Sequence, residues 1–157
     1  MKNISTCLWF DGRAEEAMKF YTSIFKDSKA GSVTRYGEGG PGKKGSVMTA
    51  SFELQGQDFM ALNAGPTFKF SPAISFVVYC KTQKELDDYW TRLLEGGAPQ
   101  QCGWLTDKFG LSWQIVPAIL PKMMRDKDAA KSNRVMQAIM KMVKLDIKTL
   151  KQAYERG

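Results

Sequence analysis

The chain repeats itself. "KFYTSIFKDSK" (19–29) laid over "DYWTRLLEGGA" (88–98) puts Phe20-Tyr21 on Tyr89-Trp90, Thr22 on Thr91, and Ile24-Phe25 on Leu93-Leu94. Upstream, "STCLWF" aligns with "SFVVYC", placing Ser5 on Ser75 and Trp9 on Tyr79. Downstream, "GQDFMAL" aligns with "GLSWQIV", placing Phe59 on Trp113 and Ala61 on Ile115. Three matches in chain order mark a duplication, which constrains the fold more tightly than composition does: what the first half forms, the second forms again.

Each half reads as βαβββ. "ISTCLWF" (4–10) alternates like a strand, and "GRAEEAMKFYTSIF" (12–25) spaces Ala14, Ala17, Met18, Tyr21, Ile24 and Phe25 by three and four, an amphipathic helix. "SVTRYG" (32–37), "SVMTASFEL" (46–54) and "DFMALN" (58–63) follow as strands, the last two separated by the turn "QGQD". In the second half "AISFVVYC" (73–80) is a strand, and "TQKELDDYWTRLLEGG" (82–97) is a helix with Thr82 as N-cap, Glu85 completing a capping box and Gly96-Gly97 ending it. "QQCGWLT" (100–106) and "LSWQIV" (111–116) are strands joined by "DKFG", where the Asp107 carboxylate caps nearby backbone amides. The expected fold is α+β, with βαβββ modules over 1–63 and 73–117, a linker over 64–72 and a helical extension over 118–157. One face of each sheet lies under its helix, and the free faces are expected to wrap a common cavity for a small molecule.

Composition narrows the chemistry. Histidine is absent, which removes Ser-His-Asp and Cys-His catalysis and every His-ligated metal site. Cys7, Cys80 and Cys102 are widely spaced and form no CxxC pair, as in a reduced cytoplasmic protein. No apolar run is long enough to cross a membrane, and "MKNISTCLWF" has no signal-peptide pattern, so a cytoplasmic location and no membrane partner are expected.

"YGEGGPGKKGS" (36–46) invites a phosphate-loop reading. It follows one strand and leads into another, so no helix N-terminus faces a phosphate, and its glycine spacing matches no P-loop. The expectation is a mobile strand-to-strand connection, whose functional form is a lid with Lys43 or Lys44 touching an anionic ligand.

Charge is concentrated at the end. Residues 118–157 hold ten Lys and Arg against four Asp and Glu, and the first 117 hold thirteen against twelve. The tail lysines are not interleaved with aromatics, so a solvated helix face is expected and no nucleic-acid partner. Met136, Ile139, Met140, Val143, Ile147, Leu150 and Tyr154 form one apolar stripe, which must dock on its own domain or on a second copy. Asp146 is placed to cap a second short helix that divides this stripe.

"WFDGRAEEAMKFYTSIF", "GSVMTASFELQGQDFMALNAGP", "CGWLTDKFGLSWQIVP" and "KMVKLDIKTLKQA" resemble the vicinal oxygen chelate superfamily of glyoxalase I, extradiol dioxygenases and bleomycin-resistance proteins. More narrowly they resemble its PhnB-like branch, described as 3-demethylubiquinone-9 3-methyltransferase. The resemblance implies a homodimer that either binds or sequesters a small molecule or acts on a small metabolite. The branch description points to methyl transfer onto a quinone precursor. S-adenosylmethionine is implied only if that description holds; no other cofactor is expected, and the Gly-rich turn and downstream acid of a Rossmann-type methyltransferase are missing.

Metal-using members of the superfamily hold their ion from the first and last strand of each module. Carried onto this chain, those positions are Ser5 or Thr6, Ala73 to Ser75, Ala61 and Ile115, with Asn63 and Gln114 close by. None is a carboxylate or imidazole, so no metal site is expected. Trp104 and Trp113, from neighbouring strands, either stack on an aromatic ligand or fill the core. Cys102 beside Gly103 is a candidate thiol or a small buried hydrophobe, and Arg35 would pair with an anionic ligand if it faces inward. The ligand-binding candidates are Ser5, Trp9, Arg35, Asn63 and Ser75 together with Cys102, Trp104, Trp113 and Gln114. No catalytic residue is assigned.

Overall fold

The duplication carries through to hydrogen-bond register. The computed structural model describes residues 2–156. Its first repeat runs β1 (Thr6–Phe10), α1 (Ala14–Ile24), β2 (Ser28–Arg35), β3 (Val47–Leu54) and β4 (Gln57–Asn63). The second runs β5 (Ser75–Cys80), α2 (Gln83–Leu94), β6 (Ala98–Pro99), β7 (Trp104–Thr106) and β8 (Ser112–Pro117). The sheets have the equivalent orders β1-β4-β3-β2 and β5-β8-β7-β6, each with a parallel pair inside an otherwise antiparallel ladder. Thr6 pairs with Phe59 and Leu8 with Ala61; their aligned counterparts Phe76 and Val78 pair with Trp113 and Ile115. The α+β architecture is the one expected.

Burial follows the alternation. α1 buries Ala14, Ala17, Met18, Tyr21 and Ile24; its Tyr21 ring lies 5.9 Å from Phe52 of β3, which stacks on Phe59 of β4 at 5.2 Å. Each large side chain fully removed from water contributes about 1.5–3 kcal/mol. α2 buries Leu86, Tyr89, Trp90 and Leu93. The Glu85 amide donates to Thr82 Oγ1 at 3.2 Å, the Lys81 amide donates to the Glu85 carboxylate at 2.9 Å, and Gly96 at φ +74 follows the helix.

Several boundaries differ from the sequence reading. β2 begins at Ser28 rather than residue 32, because register shifts between Ala30 and Val33 let the turn-like "SKAGS" stay in the ladder. The strand expected over 100–106 is reduced to Trp104–Thr106. Cys102 at φ +64 and Gly103 at φ +82 are left-handed and break the extended chain before it.

The chain divides into two units, Met1–Phe70 and Ser71–Gly157. Phe68 and Phe70, in the expected linker, pack edge-on against β1, 4.9 Å from Trp9 and 5.4 Å from Phe10. They belong to the first unit.

The tail forms α3 (Leu120–Met124), α4 (Ala129–Met140) and α5 (Ile147–Glu155), all within the second unit. Asp146 caps α5 as expected, accepting from the Thr149 amide at 2.7 Å. The stripe packs only in part: Ile139 and Leu150 are buried as expected, but Met136, Met140 and Val143 are exposed, and Val135 and Leu145, outside the stripe, are buried. The break between α4 and α5 resets the helical phase. Within that break the Cys102 and Gly103 amides donate to the Met142 and Val143 carbonyls, both at 2.8 Å. Gln83 clasps the same segment, donating to the Leu145 carbonyl at 3.1 Å and accepting from the Ile147 amide at 2.8 Å. The tail therefore docks on its own second module.

Three carboxylates hold this arrangement, and all three have lowered pKa values. Asp87 is lowered chiefly by its hydrogen bond from Lys144, then by Gln83. Asp126 is lowered by the Tyr154 hydroxyl and then the Asp128 amide, and Asp146 by the Thr149 amide and then its hydroxyl. A carboxyl depressed in the folded state stabilises above its unfolded value and loses that contribution as pH falls through the folded one. Hydrogen exchange should therefore show α5 losing protection below about pH 4 while β3 keeps it. Equal protection of α5 at pH 7 and pH 3 would contradict this tethering.

Candidate functional site

The glycine-rich connection closes on a buried tyrosine. Tyr36, next after β2, is 8% exposed, and its hydroxyl donates to the backbone carbonyl of Asn63 at the end of β4. A Cβ on Gly40 would stand 2.8 Å from Tyr36 Cδ1, and one on Gly42 would overlap Cδ2 on the other edge of the ring. Both glycines are needed for this close approach, not for a phosphate.

The loop is also laced at its base. The Gly45 amide donates to the Tyr36 carbonyl at 2.8 Å, the Tyr36 amide to the Ser46 carbonyl at 2.9 Å, and the Ser46 amide to the Lys43 carbonyl at 3.0 Å. Lys44, one of the two lysines expected to reach for an anion, pairs with Glu38 at 2.7 Å; the other, Lys43, is exposed.

Asn63 joins three elements. Its Oδ1 accepts from the Ala14 amide at 2.9 Å, satisfying an N–H that the start of α1 leaves without a helical partner, and its Nδ2 donates to the carbonyl of Val47, the first residue of β3, at 3.1 Å. Between these groups and the loop lies a cavity of about 360 Å³, lined by Gly12, Tyr36, Pro41, Gly42, Ser46, Val47, Asn63, Ala64 and Gly65. Trp9 braces its wall from behind, donating from Nε1 to the Gly65 carbonyl at 2.9 Å. The cavity lies wholly within the first unit. Sequence reasoning singled out Asn63 but missed Tyr36, Gly12 and Gly65; the available signal was a bulky aromatic heading a glycine run.

The other candidates are dispersed. Ser5 is exposed ahead of β1, and Arg35 is exposed, donating to the Gly45 carbonyl at 3.1 Å. Ser75 and Gln114 do meet, the Gln114 amide donating to Ser75 Oγ at 2.9 Å. Trp104 and Trp113 do not form a joint lining. Trp104 pairs with Gln114 while Trp113 pairs with Leu105, so the two indoles point to opposite faces of the sheet. Trp113 is 3% exposed, donates to Asp107 Oδ2 at 2.9 Å and lies 5.5 Å from the Phe76 ring; it is a core residue.

Cys102 is half-buried with Sγ 3.8 Å from the Met140 sulfur. Burial pushes the Cys80 thiol up to about 12 and raises Cys7 as well, so neither has thiolate character at neutral pH.

A divalent ion does not fit the positions carried over from metal-using proteins. Ala61 and Ile115 are fully buried and pair with the apolar Leu8 and Val78, and the polar side chains among the remaining positions are hydroxyls and amides alone. Among the described residues no three His, Cys, Asp or Glu side chains converge, and no helix is long and apolar enough to cross a membrane.

The family model described as 3-demethylubiquinone-9 3-methyltransferase matches residues 2–116, leaving the docked tail outside the match. The PhnB protein of Bacillus cereus, which carries the same methyltransferase description, is 43% identical over 74% of this chain and 98% of its own, with a TM-score of 0.67. Two more distant structures share the fold. Protein PA1353 from Pseudomonas aeruginosa is 21% identical over 74% of this chain and 97% of its own, TM-score 0.61. The fosfomycin resistance protein FosX from Mesorhizobium loti is 10% identical over 75% of this chain and 93% of its own, TM-score 0.52. No curated protein matches the sequence. Sheet order, register and these matches agree: the chain belongs to the PhnB-like, 3-demethylubiquinone-9 3-methyltransferase family.

Proposed function

We propose that the protein binds a small organic molecule in the first-module cavity and holds it without chemistry. The carrying observation is the cavity itself: about 360 Å³ within walls held by Asn63, Tyr36 and the laced loop. That volume lies in the range of small-molecule sites, and pre-ordered walls lower the entropic cost of binding. Its side chains supply no group suited to general acid–base work at neutral pH. The lining has no carboxylate, lysine or cysteine, and its tyrosine hydroxyl is bound to a carbonyl.

The family match favours a second reading, methyl transfer from S-adenosylmethionine. Calorimetry separates the two. Under the binding reading, titration with S-adenosylmethionine gives no saturable heat; a saturable isotherm, with methyl transfer to a hydroquinone in the same sample, would establish the second reading.

A further inference from the structure

We infer that the first-module cavity selects an uncharged molecule that donates hydrogen bonds, such as an alcohol, a phenol or a primary amide; this rests on the binding reading above. Three of the charged groups flanking the walls are turned to other partners. Arg13 pairs with Glu16 at 2.8 Å, Lys44 with Glu38 at 2.7 Å, and Arg35 is bound to the Gly45 carbonyl. Asp11 and Lys43, neighbours in sequence of Gly12 and Gly42, are both exposed and lie outside the lining. A charged ligand would shed water here without meeting an opposite charge, which is costly.

The polar side chains of the lining set the second half of the preference. Tyr36 has spent its one hydroxyl proton on the Asn63 carbonyl, and Ser46 has spent its own on the Lys43 carbonyl. Both oxygens keep lone pairs, so toward the cavity they can only accept. Asn63 holds one unused amide proton, since the other goes to the Val47 carbonyl, and its Oδ1 keeps a second lone pair after accepting from Ala14. Acceptors therefore outnumber donors among the lining side chains. A carboxylate, which is acceptor-only, meets matched lone pairs, whereas a hydroxyl supplies the proton they lack.

The test is an amide NMR titration of the full ¹⁵N-labelled chain with three probes of similar size: benzyl alcohol, acetophenone and benzoate. Benzyl alcohol is expected to shift the Gly12, Gly42 and Gly65 amides saturably. Acetophenone, neutral but without a proton to give, should bind more weakly, and benzoate weaker than benzyl alcohol by at least about tenfold. Acetophenone binding as well as benzyl alcohol would overturn the donor preference, and benzoate binding as well would overturn the uncharged class. In both cases the cavity itself would stand. Shifts confined to amides outside the cavity with all three probes, or none at all, would overturn the cavity as a site for this class. The binding reading would then rest on whether the protein carries any other molecule from its host.

Discussion

Asp107→Ala should lower stability by about 3–5 kcal/mol, more than most single substitutions in a domain of this size. The carboxylate is 2% exposed and collects three donors: the Phe109 amide at 2.9 Å and the Leu111 amide at 3.0 Å on Oδ1, and the Trp113 indole at 2.9 Å on Oδ2. Truncation leaves all three without their acceptor, each at about 1–3 kcal/mol before relaxation. Asp107→Asn should fall between. Its amide oxygen can still serve the two backbone donors, but its NH₂ then opposes the indole N–H. Urea unfolding followed by Trp fluorescence reads the series. An alanine variant within about 1 kcal/mol of wild type would show that the turn does not depend on this carboxylate.

Asn63→Ala is expected to cost about 2–3 kcal/mol and to abolish ligand retention together. It removes the acceptor from the start of α1 and the donor from the start of β3, both of which frame the cavity. Asn63→Asp separates the two roles. A carboxylate can still accept from Ala14 and suits a helix N-terminus, but its second oxygen would oppose the Val47 carbonyl. The aspartate variant should recover part of the stability and little of the ligand. Full retention of the ligand by Asn63→Ala would remove Asn63 from the site.

What was legible in the sequence was whatever is written locally or written twice. The alignment of Ser5 with Ser75 and of Ala61 with Ile115 made the duplication legible, and the structure repeats it in register, Leu8 pairing with Ala61 as Val78 pairs with Ile115. Thr82, Asp107 and Asp146 were readable as caps because their partners lie within four residues. The cavity was not. Tyr36 is held by a carbonyl 27 residues away, and only that long-range contact turns a flexible-looking glycine run into a fitted wall. The tail was legible only in part, for a related reason. Asp146, Ile139 and Leu150 hold as expected, but across Lys141–Leu145, where Gln83 and Gly103 hold the non-helical backbone, the buried positions shift to Val135 and Leu145. For Trp104 and Trp113 the sequence left a ligand lining and a core role open, and parity decides against a shared lining: Trp104 is opposite Gln114, the neighbour of Trp113, so the two indoles face opposite ways.

The most direct test of the account is native mass spectrometry of the full chain purified from its own host, beside Asn63→Ala prepared identically, with metal analysis of both. The account predicts one small organic molecule per wild-type chain, its loss from the variant, and no stoichiometric divalent ion in either. A molecule held equally by both proteins, or a divalent ion at one per chain, would contradict it.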